Sequence, residues 1–185
     1  MKKYEINKFP PSLFKNGRFL REDWTACSDI GRATPRGTLD KQEYLRVEGL
    51  YVDAVAALAR TFEPDRLQVH DVEYWDTVSD RLTNLGLADV IDGAPVPTEG
   101  EAVAGARLDN LVRRCLRDAA WLELMMLPKL LIHFGYDMRL LVASSIPLSE
   151  PLDQIRSSGL FLYDSDAPLP TFEPATIHVT ARKIK

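Results

Sequence analysis

The chain has 185 residues, a formal net charge of −4 and a pI near 5.4. That length suits one domain, 1–185, able to bury roughly two thirds of its unfolded surface without disulfides, and no apolar run nears the roughly 20 residues of a membrane span. The acidic balance argues against direct nucleic-acid binding, which needs clustered Lys and Arg to release counterions, and suits a basic partner instead.

The N-terminus, Met1-Lys2-Lys3-Tyr4-Glu5-Ile6-Asn7, has a basic start with no apolar segment behind it and no secretory cleavage pattern, so a cytoplasmic location is expected. Residues 1–37 interleave turn formers (Pro10-Pro11, Asn16-Gly17, Pro35, Arg36-Gly37) with Phe9, Leu13, Phe14, Phe19, Leu20 and Trp24. The expectation is an ordered, irregular arm whose apolar groups pack on the domain, with a short strand near Arg18 to Leu20.

Asp40-Lys41-Gln42-Glu43 fits a capping box. Tyr44, Val47, Tyr51, Val55, Leu58 and Phe62 follow at steps of three and four, so a helix with one core face runs to the stop at Glu63-Pro64-Asp65. Leu67, Val69 and Asp71 then alternate as a strand would, although Val72 breaks the pattern. The segment 92–100, rich in Gly and Pro, reads as a mobile surface loop. A second helix is expected from Glu101 to Arg117, with Val103, Leu108, Leu111, Val112, Cys115 and Leu116 on the apolar side and Arg107, Arg113, Arg114 and Arg117 on the wet side.

Alternation over Ala120 to Met126, the turn Leu127-Pro128-Lys129 and alternation over Leu130 to Leu140 predict a β-hairpin. Leu130, Ile132, Phe134, Tyr136, Met138 and Leu140 form one face of the second strand, Leu131, His133, Gly135, Asp137 and Arg139 the other. A short helix from Ser149 to Arg156, a strand at Gly159 to Tyr163, an acidic proline-bearing loop at 164–170 and a last strand at Ala175 to Ala181 complete the reading. The fold class is α/β of the α+β type, with a mostly antiparallel central sheet covered by two main helices.

Chemistry is sparse in the pattern. Cys27 and Cys115 are far apart and read as buried free thiols. His133 and Asp137 lie about 13 Å apart along one straight strand; His70 could join them from a neighbouring strand, the basis for a small hydrolase or metal-dependent enzyme using His70, His133 and Asp137. His178 reads as solvent-exposed. No nucleophile-elbow, zinc-protease, phosphate-loop or dinucleotide motif is present, and no metal or cofactor is expected. A third reading is a regulatory module with an apolar ligand between Trp24 and the sheet. The acidic residues Asp71, Glu73, Asp76 and Asp80, with Asp137, Asp164 and Asp166, are either solvated loop charges or a surface that takes the place of phosphates in a basic cleft.

Three stretches resemble the immunity proteins of bacterial contact-dependent growth inhibition and related polymorphic-toxin systems. They are Phe14-Lys15-Asn16-Gly17-Arg18-Phe19-Leu20 running on to Asp23-Trp24-Thr25 and Asp29-Ile30-Gly31; Glu43-Tyr44-Leu45 with Glu48 and Tyr51-Val52; and Ile132-His133-Phe134-Gly135-Tyr136-Asp137. The resemblance spans residues 14–137 and implies no catalysis. It implies a small cytoplasmic protein that binds the C-terminal domain of a cognate toxin one to one and blocks its active site or substrate access. That toxin is often a nuclease, here expected to be basic. The acidic residues above are the expected toxin contacts, chosen by charge. Met138-Arg139-Leu140-Leu141-Val142 departs from the more aromatic continuation expected in the family.

Overall fold

The computed structural model describes residues 1–15, 18–20, 23–35 and 37–166. The expected Asn16-Gly17 turn, Arg36, the far part of the acidic loop, and the last strand with His178 lie outside the described residues. In chain order the elements are β1 (Lys2–Asn7), the small pair β2 (Phe14–Lys15) and β3 (Arg18–Phe19), the small pair β4 (Ala33–Thr34) and β5 (Gly37–Thr38), α1 (Lys41–Ala59), β6 (Leu67–Tyr74), α2 (Ser79–Leu85), β7 (Ala102–Val103), α3 (Gly105–Leu116), β8 (Ala120–Met126), β9 (Leu130–Gly135), β10 (Arg139–Ser144), α4 (Ser149–Ser158) and β11 (Phe161–Asp164). Seven strands form one antiparallel sheet in the order β11-β1-β10-β9-β8-β6-β7. This is the expected α+β class.

One face of the sheet carries the core. Ile6, Val69, Leu122, Leu124, Leu130, Ile132, Leu140 and Val142 are fully buried there in one cluster with Tyr44, Tyr51, Val55 and Leu58 of α1, Leu82 of α2, Leu111 and Val112 of α3 and Ile155 of α4. On the other face Met125, Leu131 and Ala143 form a separate small cluster to which no described helix contributes. The helical face expected for α1 is therefore the buried one, and the Asp40 carboxylate accepts from the Glu43 N–H at 2.7 Å as a cap should. Glu43 pairs with Arg46 at 2.6 Å instead of reaching back to close the box.

The N-terminal arm needs correction. Lys2–Asn7 is an inner strand of the sheet, paired with β10 on one side and β11 on the other. Tyr4 and Ile6 turn to the core while Glu5 and Asn7 turn to the uncovered face, where Arg139 donates to Glu5 through Nε and Nη2, both at 2.9 Å. Among the arm's other described residues Phe9 and Trp24 are buried as expected, with Trp24 5.9 Å from the Tyr44 ring, whereas Leu20, expected to pack, is 55% exposed.

The strand expected over Leu130 to Leu140 is two strands and a turn. Gly135 pairs with Arg139, so Tyr136, Asp137 and Met138 form a three-residue connection in which Asp137 and Met138 take φ of 61° and 54°. An odd loop between paired ends leaves the parity of side-chain direction unchanged, so even-numbered residues face the core on both strands and the alternation runs through the bend without a mark. The Leu127-Pro128-Lys129 turn behaves the same way, with Met126 opposite Leu130.

The wet side assigned to α3 is overturned at two of its four arginines, while Arg107 and Arg113 keep partial exposure. Arg114 and Arg117 are each 1% exposed. Arg117 donates through Nε and Nη2 to both carboxylate oxygens of the fully buried Glu48 of α1, at 2.6 and 2.7 Å, and through Nη1 to Asp89 and the Leu87 carbonyl. Arg113 adds a 2.5 Å contact to Glu48. Arg114 donates to the carbonyls of Val90 and Ala94, and Arg107 to Pro95 and in bidentate fashion to Glu101. These guanidiniums satisfy the carbonyls of an irregular segment that has no ladder partners of its own. The loop expected to be mobile is thus held at several points.

Candidate functional site

A concavity sits at the end of the sheet where β6 finishes, β8 starts and the 136–138 turn lies. It has a volume of about 520 Å³, and its walls include Trp75, Trp121, Tyr136, Glu73, Asp118 and Asp137. Several local features of the sequence put these groups together.

The first is a bulge in β6. His70 stands opposite Glu123, but Glu73 stands opposite Trp121, so one extra residue is accommodated between them. Asp71 takes φ of 52° there, a conformation that Asp tolerates better than most residues. The Val72 break in the alternation is the trace of this bulge. Its effect is to flip the parity of β6, so that Glu73, an odd residue, joins Trp121 on the uncovered side. Asp71 itself is exposed and does not face the core.

The second is the 136–138 turn. Met138 is buried, and its carbonyl accepts the hydroxyl of the buried Tyr51 of α1. Fixed on that anchor, Tyr136 stands 75% exposed at the rim, its ring 5.2 Å from Trp121 at 82°, an edge-to-face contact. Trp121 also meets the His133 ring at 5.6 Å.

The third is the end of α3. The hydroxyl of Tyr44 donates to the Leu116 carbonyl at 3.0 Å, and Arg81 donates to the Arg117 carbonyl at 3.0 Å. Arg81 places its cation at the negative helix end. The next residue, Asp118, takes φ of 54° and points its carboxylate to within 3.4 Å of Arg81. The side chain is 55% exposed; partial desolvation at the cavity wall pushes the Asp118 carboxyl above its ordinary pKa, and Arg81 opposes that shift. Nothing in composition or period singles out Asp118; the signal was its place between the arginine-rich helix and the first residue of a strand.

Of the acidic residues chosen by charge, Glu73 and Asp137 line this cavity. Asp80 lies exposed in the first turn of α2, beside the cavity-lining Val78 and Arg81, and Asp76 begins the short turn before it. Asp164 and Asp166 are elsewhere. Asp164 pairs with Tyr4 at the far end of β11, five strand steps from β6, or about 24 Å at roughly 4.8 Å per step. The acidic set therefore divides into two surfaces.

The histidines are separated as well. His70 Nδ1 meets Glu99 at 2.8 Å, and His133 Nδ1 meets Glu123 at 3.0 Å, on strands with β8 between them. Asp137 belongs to the turn and joins neither pair. Among the described residues no group of three His, Cys, Asp or Glu side chains is placed to hold a metal ion. Cys27 is buried and its thiol is pushed up to about 11 by burial; burial also raises Cys115, on the cavity wall. Beside Trp24 there is a smaller recess of about 230 Å³, but the Lys8 ammonium stands 2.8 Å from the Trp24 ring centre and covers the surface an apolar ligand would use.

No described helix is long and apolar enough to cross a membrane. Compared with protein-family models, with curated proteins and with solved structures, the chain matches none of them.

Proposed function

We propose that this chain is an immunity protein of a contact-dependent growth inhibition or related polymorphic-toxin system, acting in the cytoplasm. It binds the C-terminal domain of its cognate toxin one to one and blocks the active site or substrate access of that domain, a basic nuclease. The observation that carries this reading is the convergence of the three resembling stretches. Trp24 contacts Tyr44, Thr25 lines the same cavity as Gly135, Tyr136 and Asp137, and Tyr51 anchors the turn that displays them. Segments more than a hundred residues apart thus meet at one cavity, to which they contribute Tyr136 and Asp137 beside the other aromatic and acidic groups of the wall, the chemistry of an interface centre that meets a basic surface.

The test is co-purification of the chain with the C-terminal domain of the large surface protein expected from the gene just upstream. A stable one-to-one complex that suppresses the toxin's activity is the expected result. A domain that remains fully active and elutes alone contradicts the proposal.

A further inference from the structure

We infer that the cavity at the end of the sheet is a socket for one arginine side chain of a partner protein, its guanidinium held by Glu73, Asp118 and Asp137 among the rings of Trp75, Trp121 and Tyr136. The inference deepens the immunity reading and rests on it for the identity of the partner, but the socket itself follows from the cavity. Its volume, about 520 Å³, falls in the range of roughly 300–1,000 Å³ typical of sites that enclose a ligand, ample for a side chain and its flanking backbone. Three carboxylates face one cationic group, Arg81, around the wall, so the lining carries two negative charges in excess.

Arg81 is shared between a backbone carbonyl and one of the three acids. Its Nη2 donates to the Arg117 carbonyl and approaches Asp118 at 3.4 Å, longer than a strong charge-assisted bond. With one cation for three acids the wall is under-neutralised. Aromatic faces select for a planar, weakly hydrated cation, which favours guanidinium over ammonium. Two of the acids sit at positive φ, 54° for Asp118 and 61° for Asp137, a backbone conformation that asparagine adopts equally well. Asparagine substitutions there remove charge and leave the backbone undisturbed.

The experiment titrates the full chain with N-acetyl-arginine methylamide at low salt and follows the three indole N–H signals by NMR, with the citrulline counterpart as a neutral isostere. The expected result is saturable movement of Trp75 and Trp121 with arginine, none with citrulline, and a still Trp24, which is buried outside the cavity. The double variant Asp118→Asn, Asp137→Asn is expected to weaken arginine binding roughly tenfold or more while Trp24 reports an intact fold. No saturable movement, an equal response to citrulline, or undiminished binding by the double variant would overturn the socket. The two proposals fail differently: a toxin domain that ignores the chain while arginine still fills the cavity removes the immunity reading, whereas a toxin domain that binds the double variant at full affinity removes the socket.

Discussion

Glu48 shows what one residue can decide. Its carboxylate is fully buried and bonded to Arg113 and Arg117, which fastens the middle of α1 to the end of α3. Glu48→Ala leaves the Arg117 guanidinium buried with half its partners gone, at a cost of about 3–5 kcal/mol, measurable as a lower denaturant midpoint. Asp118 works in the opposite sense. Its folded pKa is raised by burial, so the folded state binds more protons than the unfolded state and stability rises as pH falls through the raised value. Asp118→Asn is expected to be at least as stable as the parent at neutral pH, with the difference shrinking on acidification; a clear loss of melting temperature at pH 7 would contradict the burial argument. With its side chain 55% exposed, solvent screens most of this effect, so the stability change is small.

At the scale of elements, the start and buried face of α1 were legible, because the Asp40 cap and the apolar steps act locally; the helix ends at Ala59, short of the Pro64 stop, and Glu43 leaves the capping box open. Asp40→Ala is expected to cost about 1 kcal/mol in a thermal melt. What was not legible depended on distant partners. β1 is a strand because it pairs with β10 and β11, far along the chain, and Arg139, 134 residues away, neutralises its Glu5 on the uncovered face. Arg114 and Arg117 read as wet because helical period cannot reveal that a loop of unpaired carbonyls and a buried Glu48 lie against that side. The 136–138 turn, which carries Tyr136 and Asp137 of the candidate site's rim, was hidden by the parity its odd length preserves. Only Gly135 and Asp137 hinted at it. The loop before α3 offers a direct check: Arg107 holds the Glu101 carboxyl below its ordinary pKa, so this pair stabilises at pH above the unfolded value and its contribution is lost as pH falls through the lowered one. Arg107→Ala should speed hydrogen exchange at Thr98, whose N–H donates to Glu101, while the core of β8 keeps its protection.

Across the whole molecule, the described helices lie on one side of a seven-stranded sheet, and strand ends and loops build the candidate site at its edge. Rigid elements stand behind each rim group: α1 behind the turn through Tyr51, α3 behind Asp118, and the β6 bulge behind Glu73. Such support keeps an exposed aromatic such as Tyr136 ready for a partner without ordering cost on binding. The acids at β11 are too far away to share that rim, so Asp164 and Asp166 are expected to contribute to association rate alone. Replacing both by Asn should slow binding to the toxin domain at low salt and leave dissociation unchanged in a stopped-flow or surface measurement.

The most direct measurement is calorimetry of the full chain against the cognate toxin domain at low and at physiological salt, with Tyr136→Ala beside the parent. Tight one-to-one binding that weakens with salt, and that loses about 2 kcal/mol or more in Tyr136→Ala as a hot-spot residue should, is the expected result. Absence of binding at either salt, or binding indifferent to both salt and Tyr136, would contradict a toxin-neutralising surface at the acidic, aromatic end of the sheet.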